Sequence, residues 1–220
     1  MKRFFLFLKM ILVLPSLYFS SLKAKKLNFE ERAHIAQIWS QRILKKASVH
    51  LHVSNTNLIP LEDGYTFISN HSSKYDGILL LAANPLKVSF FISSQERLPY
   101  MTKYLELIDS IKYNFDSRDD YLVKMSQDLR HQKNFHLYIE DLKHHLLSSS
   151  QLDAAYISKT AIVPVAIKNS KSLMKFGKHK IEVSYCTPLH FEEFGHLSAE
   201  DTLNEIKTSI VNELNQGDKI

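Results

Sequence analysis

A single cysteine, Cys186, stands among the 220 residues. One thiol cannot build a disulfide framework, and it cannot supply a cysteine-based zinc or iron–sulfur site. Glycine is scarce as well, at five residues. Neither G-x-G-x-x-G nor G-x(4)-G-K-[ST] occurs, which removes the Gly-rich phosphate loops of nucleotide-binding folds. No stretch rich in Pro, Gly or Ser interrupts the chain, so no linker divides it. Hydrophobic residues at 45% and charged residues at 23% lie near the globular average, which excludes disorder. The length is enough for a real core.

Acids are missing from the first 29 residues, which carry six bases: Lys2, Arg3, Lys9, Lys23, Lys25 and Lys26. The whole chain is +5, so the remainder, with 22 bases and 23 acids, is net −1. A basic excess spread evenly would suggest nucleic acid. Gathered around an apolar segment, it suggests an anionic lipid surface. No basic–aromatic motif of an RNA-binding fold is present, and no nucleic acid partner is expected. The apolar segment, Phe4 to Phe19, reads FFLFLKMILVLPSLYF. As a helix it would span about 24 Å, short of a hydrocarbon core of about 30 Å. Lys9 and Pro15 interrupt it further. A secretory signal peptide would need a better cleavage site than Ser20-Ser21-Leu22-Lys23-Ala24. A spanning helix would need a longer run. A monotopic helix or bent helical hairpin in one leaflet, with flanking lysines on headgroups, fits best. Residues 1–27 are therefore expected to anchor the chain to a membrane. The small size and the lack of an organelle signal point to the cytoplasmic face of a bacterial cell membrane.

Residues 28–47 place Ile35, Ile38, Trp39, Ile43 and Leu44 at helical spacing, with acids early and bases late as the helix dipole prefers. Beyond them, apolar runs of strand length alternate with helix-length segments. The runs predict strands at His50–Val53, Tyr65–Ser69, Lys87–Ile92, Lys112–Phe115, Phe135–Ile139, Ile162–Ile167 and Ile181–Tyr185. Helices are expected at Lys74–Ala83, Pro99–Ile108, Arg118–Gln132, Leu152–Thr160 and Ser198–Leu214. The polar, lysine-rich stretch Lys168–Lys180 reads as an exposed loop. This alternation argues for one α/β domain over residues 28–220, a mixed central sheet flanked by helices.

The most informative block is Asn70-His71-Ser72-Ser73-Lys74-Tyr75-Asp76. A strand is expected to end at Asn70 and a helix to begin with Ser72 or Ser73 as its N-cap. His71 then lies on the turn at the sheet edge, where α/β folds place reactive groups. Asp76, in the first helical turn, can fold back toward the imidazole. A carboxylate on one ring nitrogen fixes the tautomer and leaves the other as a general base. The spacing alone does not select this pair. With 11 histidines and 11 aspartates, chance gives about 0.55 such pairs. Three occur: His71/Asp76, His136/Asp141 and His196/Asp201. His136 falls inside a predicted strand and reads as a sheet-face side chain, while His196 reads as surface. Only the first has a strand–turn–helix setting. The plainer alternative is that Asn70, Ser72 and Asp76 merely cap a helix beside an incidental histidine.

This block resembles motif one, N-H-x(4)-D, of the 1-acylglycerol-3-phosphate acyltransferases, the glycerolipid acyltransferase family. Asn57-Leu58-Ile59-Pro60 is similar to the turn that precedes that motif. Phe90-Phe91-Ile92 through Glu96 and Pro99 to Asn114-Phe115-Asp116-Ser117-Arg118 resembles motif two. Val163-Pro164-Val165-Ala166-Ile167 is similar to motif four. The third motif, F-P-E-G-T-R in the family, is here Tyr138-Ile139-Glu140-Asp141-Leu142-Lys143. Glu140 matches; Pro, Gly and Thr are lost, and Lys143 keeps the charge of the arginine without its bidentate fork.

The resemblance implies an acyltransferase with His71 and Asp76 as its catalytic pair and no bound cofactor or metal. The acyl donor would be acyl-CoA or acyl carrier protein. The acceptor would be a lysophospholipid, 1-acylglycerol-3-phosphate most conventionally, whose product is phosphatidic acid. Arg118, Glu140, Lys143, Ser72 and Ser73 would bind substrate, with backbone amides near the Ser72–Ser73 turn holding the oxyanion. For Arg118, among Asp116, Asp119 and Asp120, the alternative is a solvated surface pair, and for Lys143 it is an exposed surface lysine. The altered third motif admits two other readings. One is a lipid-binding or scaffold protein on the same fold; the other is an acyltransferase whose acceptor lacks a phosphomonoester. His144-His145 would point about 100° apart on a helix, and no carboxylate or Cys sits at ligand spacing, so no metal is expected there.

Overall fold

The structure, a computed structural model, describes residues 22–24, 26–60, 64–73, 75–93, 107–113, 118–140, 152–174 and 177–216. The apolar segment 4–19 and most of the helix expected over 99–108 lie outside them. Seven strands form one sheet: β1 (Val49–Ser54), β2 (Thr66–His71), β3 (Val88–Ser93), β4 (Ile111–Tyr113), β5 (Asn134–Glu140), β6 (Ile162–Lys168) and β7 (His179–Tyr185). Their order is β1-β7-β6-β2-β5-β3-β4. The block β6-β2-β5-β3-β4 is parallel throughout, β1 runs parallel to β7, and the two blocks meet at the antiparallel pair β6–β7. The sheet is therefore mixed.

The helices are α1 (Phe29–Lys46), α2 (Asp76–Ala83), α3 (Arg118–Arg130), α4 (Asp153–Ser158), α5 (Phe191–Phe194) and α6 (Ala199–Gln216). One apolar layer joins α1 and α2 to the Phe67, Val163, Val165 and Ile167 face of the sheet. The other joins α3, α4 and α6 to the Ile68, Phe135, Leu137 and Ile139 face. A strand buried on both faces has no solvent face to mark with polar residues, which is why β6 reads as a continuous apolar run, while β2 and β5 bury polar side chains as well. Helix α1 starts on a capping box: Asn28 Oδ1 accepts the Glu31 amide and Glu31 Oε2 accepts the Asn28 amide. Its buried stripe runs Ala33, Ala36, Trp39, Ser40 and Leu44. Ile35, Ile38 and Ile43 flank that stripe half-buried, so the packing face is turned toward smaller residues than the hydrophobic spacing suggests. Helix α2 is apolar on every side because it lies between α1 and the sheet, and Gln37 of α1 donates to the Asn84 carbonyl at its end.

The stretch 168–180 corrects the expectation of an exposed loop. Strand β6 continues to Lys168, a 3-10 turn follows at Ser170–Met174 with Leu173 buried in the core, and β7 already begins at His179. Strands β2, β3, β5 and β6 all point their C-terminal ends at one edge of the sheet, the edge where parallel α/β sheets hold ligands.

At the opposite edge, Asn134 ties three strands together. Its Oδ1 accepts the amides of Gly64 and Tyr65, both at 2.9 Å, and its Nδ2 donates to the Lys87 carbonyl at 3.0 Å. Gly64 enters this clasp with φ +103°, and a Cβ there would stand 2.7 Å from the Leu129 carbonyl oxygen. Gly64→Ala is expected to destabilise the domain by about 2 kcal/mol or more through strain and clash. Thermal unfolding followed by circular dichroism should then show a Tm lower by about 4–8 °C.

Candidate active site

Along β2, Phe67, Ser69 and His71 face the α1–α2 layer, and Asn70 lies between two of them. The backbone register of β2 with β6 extends to Ser69 opposite Val165. Beyond it the Asn70 side chain takes over: Nδ2 donates to the Ile167 carbonyl at 2.9 Å, and Oδ1 accepts the Ile167 amide at 2.8 Å. On the other flank, β2 stays in register with β5 to the end, His71 opposite Glu140. His71 is thus fixed from both sides at the last residue of its strand.

The chain then turns so that Asp76 opens α2. Its carboxylate is fully buried. Oδ2 accepts the backbone amides of Ser72 at 2.7 Å and Ser73 at 2.9 Å, and His71 Nδ1 lies 3.1 Å from the same oxygen. The second oxygen, Oδ1, is buried and takes no hydrogen bond among the described residues. A buried carboxylate must be compensated by donors, and among the described residues the two backbone amides both converge on Oδ2. The His71 side chain keeps 25% of its surface exposed, so the ring joins a buried anion to an accessible surface.

Two expectations are corrected here. The helix begins at Asp76, with Tyr75 in the cap position and no side-chain cap, so neither Ser72 nor Ser73 is the N-cap. An oxyanion site is expected from amides near this turn, but those of Ser72 and Ser73 point at Asp76 Oδ2.

Below His71 lies a floor of rings. Tyr138 stands 4.5 Å from it between ring centroids, His136 lies 5.1 Å from Tyr138, and Phe90 packs against both. Gly77 makes room for this arrangement, since a Cβ there would come 3.2 Å from the Tyr138 hydroxyl. His136 is fully buried, stacks on Phe67, and shares a 2.9 Å hydrogen bond between Nε2 and Ser69 Oγ. Burial, joined by the charge of His71, pushes its pKa from 6.5 down to about 3, so it stays neutral at physiological pH. It cannot compete with His71 for a proton. The sequence alone did not single out Ser69, Tyr138 or Gly77 for the site. The alternation along β2 and β5 holds their positions, but only the pairing of those strands assembles them.

The other expected residues stand as follows. Glu140 ends β5 opposite His71, and Arg118 opens α3 just beyond β4, so both backbones lie at the His71 edge of the sheet; their side chains lie outside the described residues. Lys143, Asp141 and the His144-His145 pair also lie outside them. Of the competing His/Asp spacings, His196 is exposed and Asp201 accepts the Ser198 hydroxyl instead. Cys186 is no alternative nucleophile. It is buried, and burial with the nearby charge of Glu213 pushes its pKa up to about 12.

The architecture is shared with an acyltransferase. That enzyme is the 1-acyl-sn-glycerophosphate (LPA) acyltransferase PlsC from Thermotoga maritima, whose crystal structure this chain matches with a TM-score of 0.78. The match covers 100% of this chain and 95% of that one at 13% sequence identity, a likeness of fold. No protein-family model matches the sequence, and no curated protein matches it.

Two measurements test this geometry. Asn70→Ala leaves the buried amide and carbonyl of Ile167 without partners and is expected to cost about 2–4 kcal/mol, read from denaturant unfolding. His136 has a depressed folded pKa, so its contribution is complete above about pH 6.5 and is lost as pH falls toward about 3, where the folded state finally takes the proton. The expected decline is about 1.4 kcal/mol per pH unit below about pH 6.5. His136→Gln, which cannot titrate, should flatten the fall of the urea midpoint over that range.

Proposed function

We propose that this chain is a membrane-associated acyltransferase. It moves a fatty acyl group from an acyl thioester, acyl-CoA or acyl carrier protein, to the free hydroxyl of a lysophospholipid, in the first instance 1-acylglycerol-3-phosphate. The observation that carries this reading is the 3.1 Å approach of His71 Nδ1 to the buried Asp76 carboxylate at the open edge of the sheet. The shared fold with PlsC, and the N-H-x(4)-D block, support it.

The chemistry follows from the pair. Asp76 Oδ2 holds the proton of His71 on Nδ1, which leaves the Nε2 lone pair as base. As the acceptor hydroxyl oxygen attacks the thioester carbonyl, its proton passes to Nε2. The buried carboxylate stabilises the imidazolium so formed, as in Ser-His-Asp systems, but with the substrate supplying the nucleophile. The tetrahedral intermediate then expels the thiolate by breaking its C–S bond, and the Nε2 proton goes to sulfur. The products are an ester and a free thiol, and the histidine returns to its starting state. No metal or bound cofactor enters these steps.

In this reading residues 28–220 act as one catalytic domain and residues 1–27 as its anchor. Arg118, Glu140 and Lys143 contact the acceptor. A second acceptor class is favoured by one specific feature: Asp141 and Lys143 stand where the family has glycine and arginine. A negative charge and the loss of a planar fork both weaken a phosphomonoester site, so a lysophospholipid without that group is the alternative.

Acyl transfer from labelled acyl-CoA and acyl carrier protein, onto 1-acylglycerol-3-phosphate and onto zwitterionic or uncharged lyso-lipids, tests the proposal. His71→Ala should lower turnover by about 10²–10⁴-fold with little change in Tm. Asp76→Asn should cost about 10²-fold or more, since the amide would mis-set the tautomer of His71. Turnover confined to phosphate-free acceptors would retain the mechanism and remove the phosphatidic acid assignment. Folded protein with no turnover sensitive to His71 on any acceptor would leave a lipid-binding protein.

A further inference from the structure

The residues from Lys168 to Lys180 include five lysines and no acid. The body of the chain beyond residue 29 is net −1, so without these five lysines it would be net −6. Positive charge is thus gathered at one place on an otherwise acidic domain. That place adjoins the candidate active site: Lys168 directly follows Ile167, the residue clasped by Asn70, which itself precedes His71. Because β6 is parallel to β2, the connection from β6 to β7 leaves the sheet at the same edge as His71.

The connection is anchored. Ser170 and Leu173 are buried, and the Ser172 amide closes the turn on the Asn169 carbonyl at 2.9 Å. Its lysines are differently placed. Lys168 Nζ donates to the Leu214 carbonyl, while Lys171, Lys178 and Lys180 are exposed, with no ion pair among the described residues. On the neighbouring edge strand, exposed His50 stands opposite Lys180 and extends the basic row, and His52 stands opposite Glu182, the acid within it.

We propose that this lysine edge is a docking surface for anionic phospholipid headgroups, one that turns the His71 edge of the sheet toward the leaflet. The binding stands on the charge pattern; the purpose assigned to it rests on the acyltransferase reading. Three observations select a lipid surface as the partner. The charges are lysine ammonium groups, hydrated point charges without the fork that marks a built phosphate or carboxylate site. Among the described residues the exposed large apolar side chains are Leu22, Leu27, Val123, Ile157 and Val211, none of them within residues 168–173 or 177–180 of this connection. A protein partner would call for such an anchor at its centre, whereas a fluid anionic surface does not. Finally, a domain with one basic edge and an acidic remainder is oriented by a negative plane, and that orientation places the site where a lysophospholipid resides.

Hydrogen exchange of the full-length chain on phosphatidylglycerol-containing vesicles, against pure phosphatidylcholine vesicles, tests this directly. Amides of the connection between β6 and β7 should gain protection on the anionic vesicles only, and lose it at about 1 M salt, where charges are screened within about 3 Å. The triple variant Lys171→Gln, Lys178→Gln, Lys180→Gln should abolish that protection at unchanged Tm. It should also lower kcat/KM on acceptor embedded in anionic vesicles, by up to about fivefold per lysine, while sparing a short-chain acceptor in solution. Equal protection on both vesicle types, or protection that survives the triple variant, would overturn the proposal. So would protection given by acyl carrier protein and not by vesicles. A chain without acyl transfer that still shows lysine-dependent protection would retain this surface and sink the catalytic reading alone.

Discussion

Asp76 is a carboxylate with no access to water, and the local structure is arranged around that fact. A buried anion without donors is untenable, so the chain supplies two backbone amides and sets an imidazole nitrogen 3.1 Å away, all at one oxygen. Meeting that requirement dictates the turn after β2, the first residue of α2 and the direction in which the His71 ring faces. The carboxylate therefore organises the backbone that carries its own partner. What looks like a capping arrangement and what looks like a catalytic pair are the same set of contacts, and the distinction drawn from sequence between them dissolves.

The rest of the site is a matter of support. His71 has one face on Tyr138, and Tyr138 rests against His136 and Phe90. A neutral, buried imidazole beneath the exposed one is consistent with this layering. It fills aromatic volume, offers a nitrogen to Ser69, and adds no charge that would repel a proton arriving above it. Rings packed at these distances leave the upper imidazole few alternative orientations, which lowers the reorganisation needed when a substrate arrives.

Much of the fold was legible because burial on two faces leaves a plain mark. All seven strands coincide with the expected strand segments to within two residues at their ends. The His71/Asp76 pair was legible because its members are five residues apart and the turn between them is local. The contacts that fix the pair were not, since Asn70 meets Ile167 across 97 residues and Ser69 meets His136 across 67. No local pattern announces which strands become neighbours. The lysine-rich stretch misled for a related reason. Its composition is that of a loop, and the features that make it structure, buried Leu173 and the early start of β7 at His179, depend on partners far along the chain.

The junction between Asn70 and Ile167 has a wider consequence for the sheet. The backbone pairing of β2 with β6 ends at Ser69 and Val165, and beyond it a side chain, in place of a second backbone, joins the two strands. That side chain works at both ends, as donor and as acceptor. Only a primary amide presents a donor and an acceptor side by side, to answer the carbonyl and the amide of one residue. An aspartate would set an oxygen against a carbonyl oxygen, a leucine would answer neither group, and a glutamine would overshoot by a methylene. The identity of position 70 is thereby dictated by the paired donor and acceptor of Ile167, independently of any chemistry performed by the histidine beside it.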